Sequence, residues 1–234
     1  EQEVDPPLGK VGDAWYVTSK EDAWGLLSRF FTGREFQRLE GVVLNVLGTP
    51  SPSFDLPARE RWTAGALGRI APHSGLLREG LADTLALMGA RGQVSGGRGL
   101  TAGDHATAIV HKLLERANTD WRIWASLAPL LGLLAEASPD TFLAALEDGL
   151  RGERPVVGRL FADTDDALFS SSPHTGLLFA LESLAWSPDH LGRVAIALGR
   201  LAMVDPGGKL MNRPDNSLRD IFLVWHPNTA ATLD

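Results

Sequence analysis

The chain has 234 residues, of which 44% are hydrophobic and 22% charged, and its formal net charge is −7 at pH 7. This balance is typical of a globular protein and excludes an intrinsically disordered one. The negative charge disfavours a nucleic-acid partner, because phosphate binding needs clustered Lys and Arg and the arginines here are scattered singly. The chain has no cysteine, so it can form neither disulfides nor a Cys-based zinc site.

The residue types also indicate the fold class and the location. The apolar residues are mostly Leu and Ala and there is one Tyr, so the composition predicts an all-α fold. No apolar run reaches the roughly 20 residues of a membrane span, and no signal peptide is visible. We therefore predict a cytoplasmic protein with no membrane contact. Because the chain opens on Glu1 and stops just after a helix N-cap expected at Asn228 or Thr229, we expect a fragment of a longer polypeptide, with a trimmed complete protein as the alternative.

In chain order, residues 1–14 predict an N-terminal linker, and residues 15–17 a short extended piece. Helices are then expected wherever a capping residue precedes apolar residues spaced three or four apart. The predicted helices cover residues 20–31, 33–47, 58–70, 74–88, 101–117, 120–136, 141–150, two within 172–205, and 218–223. Pro129 is expected to interrupt the helical region 120–136. The glycine-rich residues 89–100 predict a linker between a helical subdomain at 15–88 and a second one at 101–234 that continues beyond the fragment.

The stretch 172–205 organises the chain, since it predicts two helices that each begin with Ser followed by Pro. Ser172 and Ser187 are expected to supply N-cap hydroxyls, and the following prolines suit the first helical turn. The tripeptide Ser-Pro-Asp occurs at Ser138 and again at Ser187, 49 residues apart, which resembles the period of HEAT-like helix pairs. With eight to ten helices and no convincing strand pair, the sequence predicts an α-α superhelix or HEAT-like repeat, with a globular bundle as the alternative.

The sequence contains no recognisable catalytic, nucleotide-binding or metal-binding motif. There is no Walker A sequence, no HExxH and no nucleophile elbow, so no catalytic residue, cofactor or metal is predicted. The acidic loop that contains Asp163, Asp165 and Asp166 could take a hard cation, but a solvated loop is the favoured interpretation. The six histidines show no metal-binding spacing.

The segment 212–226 combines amide, cationic and aromatic side chains around one short helix. Its candidate partner-binding residues are Asn212, Arg213, Arg219, Trp225 and His226. The alternative is a structural role, in which buried Asn and Arg satisfy loop carbonyls.

Three parts of the chain carry a resemblance: DAWGLLSRFFTGREF, then LPARERWTAGALGR with HSGLLREGLADTLALMG, and then SPHTGLLFALESLAWSPDHL with DPGGKLMNRPDNSLRDIFLVWHPNTA. They resemble a helical repeat-like region of large, mostly uncharacterised bacterial proteins. Some of those proteins are similar to STAND-type or defence-associated NTPases. The resemblance implies that any NTPase lies elsewhere in the parent, and it carries no functional residue over to this chain.

We therefore expect a non-catalytic helical scaffold for protein–protein interaction or ligand sensing, whose partner is another protein or an upstream domain of the same polypeptide. One rival is an all-α enzyme, with a cleft where His73, His105 or His174 meets a carboxylate such as Glu79 or Asp104. A second rival is a structural or oligomerising spacer. The third is a nucleic-acid binder, which requires the scattered arginines to line one face.

Overall fold

The computed structural model describes residues 6–93, 95–97, 99–161, 172–207 and 212–223. Helices dominate these residues, so the all-α prediction is confirmed. The α-helices are α1 (Lys20–Leu27), α2 (Gly33–Val46), α3 (Gly75–Ala90), α4 (Ala102–Ala117), α5 (Trp121–Leu127), α6 (Leu131–Ala137), α7 (Pro139–Gly149), α8 (His174–Leu184), α9 (Pro188–Val204) and α10 (Pro214–Asp220). None of the described helices combines the length and apolar character that crossing a bilayer requires.

Two small antiparallel strand pairs accompany the helices. Strands β1 (Leu8–Val11) and β2 (Ala14–Val17) form a hairpin around Gly12, whose φ of +59° suits a tight turn. Strands β3 (Ser95–Gly97) and β4 (Leu100–Thr101) pair between α3 and α4. The expectation of no strand pair was therefore wrong, and part of the predicted N-terminal linker forms a strand.

Several helix ends follow local signals that are readable in the sequence. Thr32 and Thr101 begin α2 and α4 with capping boxes, in which Glu35 and Asp104 reach back to the cap backbone. These hydrogen bonds lower the pKa of both carboxyl groups. Pro129 divides the predicted helical region 120–136 into α5, a 3₁₀ turn at Ala128–Leu130, and α6.

The predicted helix over residues 58–70 is wrong. Residues Ala58–Thr63 form a 3₁₀ helix with no buried side chain, and a turn with Gly68 at φ +66° follows. The large apolar side chains of this segment do not pack, since Trp62 is 74% exposed, Leu67 59% and Ile70 69%. Most helical stability in proteins comes from packing an apolar face, which this segment lacks.

The Ser-Pro signals mark helix starts, but their hydroxyls do not cap. Neither α8 nor α9 has a side-chain cap, and the Ser172 hydroxyl bonds His174 instead. The helix predicted over residues 218–223 begins earlier than expected, because α10 starts at Pro214. Ser217, the expected cap, is buried within α10 and donates to Glu182 Oε1 at 2.6 Å.

Six of the helices after α2 pack in two rows. In one row α3 packs against α6 and α6 against α8, while in the other α4 packs against α7 and α7 against α9. Within the pairs α3–α4, α6–α7 and α8–α9, the two helices also contact each other. One hydrophobic cluster runs through all of them. Helices on both sides of residues 89–100 thus pack together, and the division into subdomains there stays a prediction.

Candidate ligand-binding cleft

The predicted partner-binding residues do not form one exposed patch in the described part of the chain. The Asn212 backbone carbonyl lies 2.9 Å from His174 Nε2. Arg213 Nη1 donates to Asp205 Oδ1 at 2.7 Å, and these two side chains are only 12% and 10% exposed. Arg219 is exposed and pairs with the adjacent Asp220. Trp225 and His226 lie outside the described residues, as does the acidic loop with Asp163, Asp165 and Asp166.

The three histidines of the enzyme alternative lie in different elements. His73 precedes α3, His105 stacks on Phe36 from α4 with 4.7 Å between ring centroids, and His174 begins α8. Within the described ranges, no group of three His, Asp or Glu side chains is arranged to hold a metal ion.

His174 is fully buried and bonded at both ring nitrogens. Its Nε2 lies against the Asn212 carbonyl, which can only accept, so Nε2 carries the proton and Nδ1 accepts from Ser172 Oγ at 2.5 Å. Burial is the main cause that lowers the pKa of His174; the nearby Arg213 cation lowers it too, while the Asn212 hydrogen bond and Asp205 raise it. His174 is therefore a neutral imidazole at pH 7 that links the start of α8 to residue 212.

Ser172 also lines a cleft of about 460 Å³ between four separate segments of the chain. The described lining residues are Ser51, Phe54, Ala71, Arg78, Ala125, Ser126, Ala128, Pro129, Ser172, Pro173, Thr175, Gly176 and Phe179. Arg78 is the one charged residue among them, and none of them is an Asp, Glu or His. The cleft thus combines apolar walls with hydroxyl groups and a single cation.

Close packing of α8 on the 3₁₀ turn shapes one wall of the cleft. A Cβ on Gly176 would lie 2.0 Å from the Ala128 carbonyl oxygen, so only glycine fits at this contact. Elsewhere in the lining, the Ser51 N–H donates to Ser126 Oγ at 2.8 Å, which ties the loop after α2 to α5. The walls are therefore held by contacts between segments far apart in the sequence.

Arg78 is positioned by the ends of two helices. Its Nη1 donates to the Val46 carbonyl at 2.8 Å and its Nη2 to the Ser126 carbonyl at 3.0 Å. Both acceptors lie in the last turn of a helix, where carbonyls lack intrahelical partners. Burial lowers the pKa of Arg78, but a guanidinium keeps its charge at neutral pH.

The partners of Arg78 distinguish it from other partly buried arginines. Arg122 pairs with Asp55 and Asp120, and Arg193 pairs with Asp140 and Glu147. Arg78 has no carboxylate partner in the part of the chain that the structure describes. Of its five N–H donors, the two hydrogen bonds use two, and the other three have no protein acceptor among the described residues.

A second cavity, of about 360 Å³, lies between α1 and α3. Its walls include Trp24 and Phe31, and its cation, Lys20, pairs with Asp83. The Trp24 Nε1 group is buried with no hydrogen-bond partner among the described residues. Because the cation of this cavity is already neutralised, its electrostatics differ from those of the Arg78 cleft.

Sequence reasoning missed the Arg78 cleft. Its lining residues come from positions 51–54, 71–78, 125–129 and 172–179, and Arg78 itself looks like one of many scattered surface arginines. Among the lining residues, the sequence draws attention to the serine–proline pair at Ser172 and to Pro129, in both cases for a different role.

Comparison with known protein families, with curated proteins and with solved structures finds no match to this chain. The resemblance to helical regions of large bacterial proteins stays a prediction.

Proposed function

We propose that this chain is a non-catalytic helical scaffold that senses a ligand in the Arg78 cleft. The single observation that carries the proposal is the preformed cleft itself, whose one cation lacks a carboxylate partner among the described residues. Preformed, mostly apolar clefts with a few convergent polar groups are the usual form of small-molecule sites, and their volumes are typically about 300–1,000 Å³.

The packing of the helices supports a repeat-like scaffold as the carrier of this site. Helices α3, α6 and α8 follow one another in one row, and α4, α7 and α9 in the other. Stacked helix pairs in an α-α superhelix have this two-row arrangement. The cleft joins the first row to the loop after α2, so a bound ligand contacts both α3 and α8.

In this proposal the scaffold passes the occupancy of the cleft to another protein or to an upstream domain of the same cytoplasmic polypeptide. Ser172 lines the cleft and is linked through His174 to the backbone of Asn212. The segment from Asn212, through its exposed Arg219, is the part that we nominate to contact the partner.

The test is a fragment screen on the isotopically labelled chain, followed by amide chemical shifts. We expect hits that shift the amides of Ala71, Ser126 and Thr175 in the cleft. Phe179→Ala should weaken these hits, because Phe179 lines the cleft and is 58% exposed, so its removal leaves the core intact. Ile196→Ala is the matched control, because Ile196 is 60% exposed and is not among the cleft residues. Hits confined to other surfaces would contradict the proposal.

A second candidate, an all-α enzyme, is favoured by one observation. Ser172 lines the cleft and its hydroxyl donates a hydrogen bond to the neutral His174, as a nucleophile does to a general base. A fluorophosphonate probe tests this candidate directly. Covalent labelling of Ser172 that is lost in His174→Gln would favour the enzyme over the ligand sensor. If the probe does not label Ser172, the enzyme candidate is excluded.

A further inference from the structure

We infer that the ligand of the Arg78 cleft is a small organic acid, with one carboxylate bound by Arg78 and an apolar body packed between Phe54, Pro129 and Phe179. This inference rests on the proposed function and names the chemical class of its ligand.

The charge of the cleft selects an anion. Arg78 is the one charged residue among the described lining residues, and its free N–H donors have no protein acceptor there. The planar guanidinium binds carboxylate oxygens through two parallel, charge-assisted hydrogen bonds. An anion would therefore supply the partner that Arg122 and Arg193 find in Asp and Glu.

The surroundings of Arg78 favour a single negative charge over a double one. The two carbonyls that Arg78 contacts belong to the C-terminal turns of α2 and α5, where the helix dipoles place partial negative charge. These dipoles offset part of the guanidinium charge, and no second cation lies among the described lining residues. A monocarboxylate balances this site better than a phosphate dianion does.

The remaining walls select the rest of the ligand. Phe54, Ala71, Pro129 and Phe179 present apolar surface, and the cleft volume of about 460 Å³ exceeds what a bare anion needs. Burying the apolar body of a ligand against these walls stabilises the complex through the hydrophobic effect. The same chemistry occurs in a free aryl or acyl acid and in the C-terminal carboxylate of a peptide that ends in an apolar residue.

The test is calorimetric titration with two matched pairs of probes. The first pair is 4-phenylbutyrate and its neutral isostere 4-phenylbutanamide, and the second is acetyl-Gly-Gly-Phe with a free or an amidated C-terminus. We expect each acid to bind at least about tenfold more tightly than its amide, because a charge-assisted pair replaces a neutral hydrogen bond. The pair with the higher affinity identifies the source of the carboxylate.

Variants assign the difference to Arg78. Arg78→Gln should reduce the affinity for the acid to that for the amide and leave the amide unchanged, whereas Arg78→Lys should keep part of the preference. Arg69→Gln is the matched control, since Arg69 is exposed and lies outside the described cleft lining. Phe179→Ala should weaken acid and amide by the same factor, and it keeps the inference testable if Arg78→Gln does not fold.

Two outcomes separate the inference from the proposed function, and a third overturns both. If acid and amide bind in the cleft equally well, the inference that the ligand is an organic acid is wrong, but the proposed ligand-sensing function is unaffected. A preference for acids that survives Arg78→Gln in a folded protein also overturns the inference. If no probe binds and the fragment screen finds no ligand in the cleft, the inference and the proposed function fall together.

Discussion

Arg78 and Arg213 lie in two regions of the molecule that use the same side chain differently. Arg213 joins the end of α9 to the start of α10 by donating to Asp205, and both side chains are nearly buried. Arg78 joins the ends of α2 and α5 by donating to two backbone carbonyls. The charge of Arg213 is neutralised inside the protein, whereas that of Arg78 faces a cleft.

The difference shows that the packing partners of an arginine, rather than its sequence neighbourhood, decide whether its charge is neutralised by a carboxylate. Residues 212–226 had the residue types of a binding patch, yet the structure uses Arg213 to hold two helix ends. Arg78 had no suggestive neighbours and carries the candidate site.

The largest expected effect is on stability, and it concerns the Arg213–Asp205 pair. Arg213→Ala should destabilise the protein by about 3 kcal/mol, because it leaves the Asp205 carboxylate buried without its cation. Arg219→Ala, at an exposed position, should change the free energy of unfolding by less than about 0.5 kcal/mol. Urea denaturation measures both values. Similar values for the two variants would show that the Arg213 pair contributes no more than a surface contact.

The next effect tests whether the wall of the cleft is rigid. Gly176→Ala should cost about 2 kcal/mol, because its Cβ would meet the Ala128 carbonyl. Gly192→Ala is the control on α9, where a Cβ meets nothing within 4 Å and should stabilise the helix by up to about 1 kcal/mol. Thermal denaturation of the two variants would give opposite shifts. A neutral Gly176→Ala would mean that α8 can move away from the 3₁₀ turn.

Removing the donors of Arg78 should have a smaller effect on stability than breaking the Arg213 pair. Arg78→Met leaves the Val46 and Ser126 carbonyls without their donor, which should cost about 1.5 kcal/mol. No buried carboxylate is left unpaired, unlike in Arg213→Ala. Chemical denaturation without ligand measures this difference, and a loss as large as that of Arg213→Ala would end the distinction between the two arginines.

The smallest effect concerns His174, which connects the cleft to the Arg213 region. Its pKa in the folded protein lies below the ordinary value near 6.5, so its contribution to stability is fully present above pH 6.5. As the pH falls below 6.5, the unfolded chain takes up the proton first, and stability is lost by at most about 1.4 kcal/mol per pH unit. The stability difference between wild type and His174→Gln should therefore shrink between pH 7.5 and 5.5. A difference that stays constant with pH would show that His174 titrates normally.

Much of the helical architecture could be predicted from local signals. The capping residues Thr32 and Thr101 and the break at Pro129 act within one or two helical turns, so the adjacent sequence determines them. Prediction from local signals failed where contacts in the folded protein overrode the local preference. The Ser172 hydroxyl is a good cap in isolation, but here it donates a hydrogen bond to the neighbouring His174 ring and caps neither α8 nor α9. At residues 58–70 the helical pattern found no surface to pack against.

The fold class and most helix boundaries follow from composition, spacing and capping, because these depend on a residue and its neighbours along the chain. The cleft does not, because it needs Arg78 to meet Ser126, 48 residues away, and α8 to close on Ala128 at Gly176. The packing of helices that are distant in the sequence decides whether an arginine contacts a carboxylate or a carbonyl. This packing gives Arg78 two carbonyl partners and Arg213 a carboxylate partner.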